Sequence, residues 1–270
     1  MGHSSTLVLL TGMMWKAGLT AFTIILVTAL AERARKTLAA ILMGMPLSIG
    51  PALTLLAISH GHQFVAQSAN HALSSVLGVV LFIIAYVHAA KRHGLWVCVV
   101  AGYTAWLASA LMLSHIDLNF WGALGCAAGG LLLGQLLIPR LEVPARGIAQ
   151  NVGPTPLRFL LVRGSLAGIV VAGVVTIAPL LGPVLAGYFE SIPVILGTAA
   201  WMLASVANNQ FAAATLSHAD RGLLSFLAVC ATVAYLTGPL PAYAAIAIGL
   251  GVSVSISLVL VMHLVRGISK

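Results

Sequence analysis

Charged side chains are scarce in this chain of 270 residues: aspartate, glutamate, lysine and arginine make up 7% of it, whereas a soluble domain has about 25%. Only five residues are acidic, which leaves few candidates for general acid–base chemistry. The sequence also lacks a nucleophile elbow, a P-loop, a zincin helix and an acidic metal site, and it lacks basic and aromatic clusters for binding nucleic acid. We therefore expect neither an enzyme nor a cofactor nor a nucleic-acid partner.

Apolar residues make up 60% of the chain, and its mean hydropathy is +1.08. A helix needs about 20 such residues to cross a bilayer. Nine apolar segments of roughly this length can be marked, without strand-type alternation: 7–31, 38–59, 72–90, 95–114, 120–138, 157–181, 184–207, 222–237 and 242–265. The pattern predicts an all-α membrane protein with about nine transmembrane helices, whose main surroundings are the lipid bilayer.

Three cysteines, Cys98, Cys126 and Cys230, lie inside these segments. We interpret them as small buried hydrophobic residues rather than as disulfides or metal ligands. Residues 1–6 carry no lysine or arginine, whereas a signal peptide starts with basic residues. We therefore expect the first apolar segment to be retained.

Basic residues occupy every second connection between the segments. No lysine or arginine lies in four of the connections: 60–71, 115–119, the one around residue 182, and 238–241. The other connections and the C-terminus carry basic residues: Arg33, Arg35, Lys36, Lys91, Arg92, Arg140, Arg146, Arg158, Arg221, Arg266 and Lys270. Basic loops stay in the cytoplasm. The alternation predicts a multi-pass membrane protein with its N-terminus outside and its C-terminus inside.

The chain matches itself when it is shifted by 147 residues. Residues 36–77 align with 183–224 without a gap, and the informative identities are Pro46 with Pro193, Gly50 with Gly197, Gln63-Phe64 with Gln210-Phe211, and His71 with His218. Five helices separate equivalent elements, so the second copy must cross the membrane upside down. We predict a 4+1+4 inverted-topology repeat: residues 1–116, a linker helix and cytoplasmic loop at 117–156, and residues 157–270.

The linker segment contains Gly125-x-x-x-Gly129 and Gly130-x-x-x-Gly134. Glycines at this spacing allow two membrane helices to approach closely. We expect both pairs to serve this packing.

The first half of the chain resembles small GlpM-type bacterial inner-membrane proteins of about four helices. The resemblance lies in Lys16, early in the first segment, and in the stretch LAAILMGMP at 38–46. The similarity covers about 80 residues and returns more weakly at 185–193. It implies a helical membrane fold and little chemistry. In plan alone, the chain is similar to fused fluoride channels and small multidrug transporters, although it lacks the fluoride-channel signature.

Glu190 is the only acid well inside an apolar segment. Because a charge within the bilayer is costly, an intramembrane carboxylate indicates a functional site, and burial favours the protonated form, which could load and release a proton. Tyr188 and Ser191 add polar groups, and Pro193 frees a backbone carbonyl. The alternative is a carboxylate near the membrane surface, either hydrated or paired with Lys16.

Proline and glycine recur at equivalent depths, as Pro46 and Gly50 in one half and as Pro193 and Gly197 in the other. Interrupted helices in corresponding positions indicate a transporter binding site. Ordinary tolerance of proline in membrane helices would give the same pattern.

Lys16 and Arg163 are equivalent residues within apolar segments, and we favour the interpretation that each extends to the nearer membrane surface. If both point inward instead, they would attract an anionic substrate. We place Gln63, His71, Gln210 and His218 in loops that fold back onto the bundle, and we do not expect His60, His62 and His71 to bind a metal.

The function that fits best is a small secondary transporter of a small solute, with proton coupling through Glu190 as an option. A passive channel of the same plan and a non-catalytic membrane accessory protein are the alternatives. The sequence names no substrate, and it leaves homo-oligomerisation open.

Overall fold

The structure is a computed structural model that describes residues 49–139, 141 and 157–268, together with residues 18, 21, 22, 25 and 26. Lys16 and Pro46 therefore lie outside the described residues. Every regular element within the described ranges is helical: α1 Ile49–His60, α2 His62–Ser74, α3 Val76–Ala89, α4 Leu95–Ser114, α5 Phe120–Leu137, α6 Leu157–Glu190, α7 Val194–Val206, α8 Asn209–Leu216, a 3₁₀ turn Ala219–Gly222, α9 Leu223–Leu236 and α10 Ala242–Ile268. Gly182, with φ 70° and ψ 170°, divides α6 into two helical parts at the connection predicted around residue 182.

Six stretches among the described residues are long and apolar enough to cross a membrane: His62–Ala89, Leu95–Ser114, Phe120–Leu137, Leu180–Ser205, Ala219–Leu236 and Ala242–Leu260. Shorter apolar helices lie at Ile49–His60 and Gly164–Ala178. The prediction of a helical membrane protein is confirmed at this level, since these helices have the length and composition that a polytopic membrane protein needs.

The connection predicted at residues 60–71 is wrong, because this part of the chain is helical. α2 begins at His62 and leads through Ser75 into α3, so that His62–Ala89 makes one stretch of 28 residues. Gly61, with φ 81° and ψ 178°, separates it from α1. Residues 209–216 are likewise helical. The polar residues in these stretches were the reason to predict loops exposed to water, whereas several of these residues are buried inside the bundle.

Two antiparallel helix pairs pack closely through glycine. In the first pair, Gly102 of α4 lies against Phe82 of α3, and Gly78 of α3 lies against Trp106 and Ser109 of α4. In the second pair, Gly249 of α10 lies against Val229 of α9. A side chain at these points would separate helices that bury their apolar faces on each other.

The linker helix α5 runs parallel to α3. Gly130 lies against Leu77, and Gly134, four residues later, lies against Val80. The predicted packing role therefore holds for this pair of glycines. Gly125 and Gly129 have open space around their Cα atoms, so the prediction fails for them in the described structure.

α9 runs antiparallel to α5. His218, shortly before α9, places Nε2 3.3 Å from the carbonyl oxygen of Leu141, which follows α5. At the opposite end, the ring of Tyr235 in α9 lies 5.3 Å from that of Phe120, the first residue of α5. Since α3 is parallel to α5, α3 and α9 point in opposite directions.

Replacing Gly130 by alanine should destabilise the protein, because the new Cβ would lie 2.8 Å from the Cα atom of Leu77. Overpacking of this kind costs about 1–3 kcal/mol. Gly129→Ala is the matched control and should lose no stability, since nothing lies within 4 Å there. Unfolding of the purified variants in detergent measures both. Equal stability of the two variants would contradict the α3–α5 contact.

Candidate functional site

The candidate site lies at an interruption between α6 and α7. α6 ends at Glu190, residues 191–193 are not helical, and α7 begins at Val194. Pro193 has φ −76° and ψ 53°, and the N–H of Val194 donates to the carbonyl of Ile192 at 2.7 Å. These values describe an inverse γ-turn. Proline has no N–H to continue the helix, so the predicted break is present in the chain.

Glu190 is the central residue of this interruption. Its side chain is 4% exposed, and neither carboxylate oxygen has a hydrogen-bond partner within the described residues. The Cys230 thiol of α9 is close enough to interact with it electrostatically. A charged carboxylate without a counter-ion is costly in such surroundings. Glu190 therefore has the environment of a group that takes up a proton or a cation.

Tyr188 connects this end of α6 to α2. Its hydroxyl lies 3.1 Å from Oγ of Ser74, and its ring centroid lies 5.6 Å from that of His71. Gly187 permits this approach, since a methyl group there would clash with the carbonyl oxygen of Ser68 and with Cβ of His71. The sequence predicted Tyr188 inside an apolar segment and His71 in a loop, whereas the two side chains meet inside the bundle.

Ser191 differs in its role from Tyr188. Its Oγ donates to the carbonyl of Tyr188 at 2.6 Å. This bond satisfies a carbonyl at the end of α6, so Ser191 stabilises the interruption from within its own turn.

A polar face of α2 holds residues 183–190 in place. Oγ of Ser68 donates to the carbonyl of Pro183 at 3.1 Å, and Ser74 meets Tyr188, so the two segments run parallel. Ser68 and Ser74 are absent from the set predicted from sequence. Their spacing of three residues on either side of His71 repeats on one helical face, and this pattern was the signal available for finding them.

Tyr103 of α4 closes the other side of the interruption. Its hydroxyl donates to the carbonyl of Pro193 at 3.3 Å, and its ring lies over Gly197, where a methyl group would clash with the hydroxyl. Gly50, 147 residues before Gly197, packs against Leu250 at 3.1 Å, measured from a Cβ built on the glycine. Tyr103 could not be found from the predicted repeat, because the residue 147 positions later is Leu250.

The remaining candidates lie elsewhere. Gln63 and Gln210 are exposed, in the first turns of α2 and α8, and both are helical rather than in loops. His71 is helical as well, whereas His218 lies between α8 and the 3₁₀ turn, near Leu141. The side chain of Arg163 is not described, and its backbone is part of α6.

The histidines predicted not to bind a metal are separated in the structure. His60 places Nε2 3.3 Å from the carbonyl of Val175, while His71 is nine residues along α2 from His62, about 13 Å at the helical rise. No group of three or more histidine, cysteine or acidic residues in the described part of the chain could hold a metal ion.

No protein-family model, curated protein or solved structure matches this chain. The resemblance to GlpM-type proteins stays a prediction. The chemistry of the site must therefore be argued from its own residues.

The contact between Gly197 and Tyr103 can be tested by a double-mutant cycle. Gly197→Ala should destabilise the protein by displacing the tyrosine hydroxyl, and adding Tyr103→Phe should restore part of the loss because it removes the clashing atom. Coupling between touching residues is about 0.5–3 kcal/mol. Gly173→Ala, at a position with nothing within 4 Å, serves as the control. Strictly additive effects on unfolding in detergent would argue against the contact.

Proposed function

We propose that the protein is a small proton-coupled secondary transporter, built as a 4+1+4 inverted repeat in the bacterial inner membrane. The observation that carries this proposal is Glu190, a buried carboxyl without a described hydrogen-bond partner at the interruption of a membrane helix.

Helix boundaries support the repeat. α2, α3 and α4 begin at His62, Val76 and Leu95, and α8, α9 and α10 begin at Asn209, Leu223 and Ala242. Each pair of starting residues is 147 apart, the shift at which the sequence matches itself. α3 and α9 also have the same length, 14 residues.

Individual contacts support a two-fold relation between the halves. A shift of 147 converts Gly50 into Gly197 and Tyr103 into Leu250, and Gly50 lies against Leu250 just as Gly197 lies against Tyr103. A two-fold rotation exchanges partners in this way. Because the equivalent helices α3 and α9 point in opposite directions, an axis in the membrane plane fits best.

The interrupted helix supports transport rather than a static scaffold. Discontinuous helices at the interface of inverted repeats carry the substrate and ion sites of many transporters. A titratable acid at the interruption supplies a means to couple solute movement to a proton gradient. A passive channel needs no such group, so Glu190 favours the transporter over the channel.

The expected partners are the lipid bilayer and a small solute, with no catalytic reaction. The charge alternation supports an external N-terminus and a cytoplasmic C-terminus.

The inverted plan predicts opposite sides for equivalent positions. Reporter fusions after Arg92 should read cytoplasmic, and fusions after Pro239, its equivalent under the shift of 147, should read periplasmic. Fusions after Arg221 and Lys270 should read cytoplasmic. If the fusions after Arg92 and Pro239 report the same side, the inverted repeat is wrong.

Transport is tested in proteoliposomes against a panel of small solutes, with and without a proton gradient. Glu190→Gln keeps the shape and removes the titration, so gradient-driven uptake should fall to that of protein-free liposomes while counterflow exchange continues. Glu142→Gln, an acid between α5 and α6 in the sequence, is the matched control and should transport normally. Full gradient-driven uptake in Glu190→Gln would exclude coupling through this residue, and downhill flux alone would favour the channel.

A further inference from the structure

We propose that His71 is a proton-transfer residue that connects Glu190 with water at the loop formed by residues 115–119. This assignment rests on the proposed function, in which Glu190 takes up a proton. It adds a second titratable residue and an entry route from the side of the membrane on which that loop lies.

His71 is buried beside the helix end that carries Glu190. Its side chain is 8% exposed, and its Nδ1 has no hydrogen-bond partner in the described structure. The ring contacts Tyr188, two residues before Glu190, and Cβ lies against Gly187. Both His71 and Glu190 are buried with polar atoms that lack a hydrogen-bond partner among the described residues, and His71 contacts the helical turn that ends at Glu190.

The loop at residues 115–119 lies near His71. The side-chain amide of Asn70 donates to the carbonyl of Leu118 at 2.7 Å, which joins the neighbour of His71 to this loop. Asp117 is exposed, and its carboxylate interacts electrostatically with the imidazole. An exposed acid near a buried imidazole can collect protons from water and pass them toward the ring.

The other titratable groups around α2 are poorly suited to this step. Tyr188 of α6, Cys126 of α5 and Cys230 of α9 hold their protons near neutral pH. His60 of α1 is directed to the carbonyl of Val175. Histidine changes its charge in the physiological range, so His71 is the residue that can both accept and release a proton between Asp117 and Glu190.

The transfer has two balanced steps. A proton from water at the loop binds the neutral imidazole at Nδ1 and makes it a cation. The cation then yields a proton to a carboxylate oxygen of Glu190, directly or through a water molecule, which leaves a neutral ring and a neutral carboxyl. Release toward the loop reverses both steps.

The test follows protonation of Glu190 after a pH jump by time-resolved infrared spectroscopy, in purified protein without substrate. The carboxyl C=O band is assigned by its loss in Glu190→Gln. In His71→Gln the rate of protonation should fall about 100-fold or more, within the range that a positioned acid–base group contributes. His218→Gln is the matched control, since this equivalent residue lies near Leu141 and should leave the rate unchanged.

Asp117→Asn provides a second variant on an exposed side chain, in case His71→Gln does not fold. It should also slow the protonation of Glu190. Unchanged rates in the folded variants, with the Glu190 band present, would overturn the role of His71 and leave the proposed function intact. A protein without any band that depends on Glu190 would instead overturn the proton coupling itself.

Discussion

In the hydrocarbon core of a membrane, every backbone N–H and C=O must find its partner inside the protein. The interruption at residues 191–193 breaks the helical ladder, and the structure satisfies the freed groups locally. Val194 donates to Ile192, Ser191 donates to Tyr188, and the Tyr103 hydroxyl reaches the carbonyl of Pro193. The arrangement of α4 against α7 follows from this need, since only a close approach brings a hydroxyl to that carbonyl.

Close approach in turn depends on glycine. Gly187 allows residues 183–190 to lie against α2, Gly197 admits the ring of Tyr103, and Gly130 brings α5 onto the backbone of α3. Lipid tails offer no hydrophobic advantage for joining two helices, so tight van der Waals contact and hydrogen bonds must supply the energy. The helices that carry the polar side chains of the site can therefore lie close together because glycine has no side chain at their contact points.

Glu190 is the buried acid at this interruption whose polar atoms find no hydrogen-bond partner among the described residues. The carboxyl is buried at the end of α6, and the surrounding hydrogen bonds stabilise the backbone without reaching its oxygens. A position that was only structural would gain from an apolar residue of similar size. Under the predicted repeat its equivalent is Met43, so the repeat would not require an acid there.

Composition and segment length were enough to predict the helical membrane class, because apolar helices are the solution available to a chain with so few charges. They also located α4, α5, α9 and the start of α10 within a residue or two, since polar residues or glycine and proline border these helices. The interruption beside Glu190 was predictable for the same local reason, namely that proline lacks an N–H.

Other features depended on the tertiary structure. Residues 62–74 contain glutamine, asparagine, histidine and serine, and their sequence resembles a wet connection, yet the helix continues because Ser68 and Ser74 find partners on α6. The pairing of His71 with Tyr188 joins residues more than a hundred positions apart, and Tyr103 is unrelated to its repeat equivalent Leu250. The sequence by itself determined the apolar helices bordered by polar residues, glycine or proline, and it determined the break at Pro193. Only the folded bundle decided which polar groups meet at that break, because hydrogen bonds across helices depend on distances that local composition does not specify.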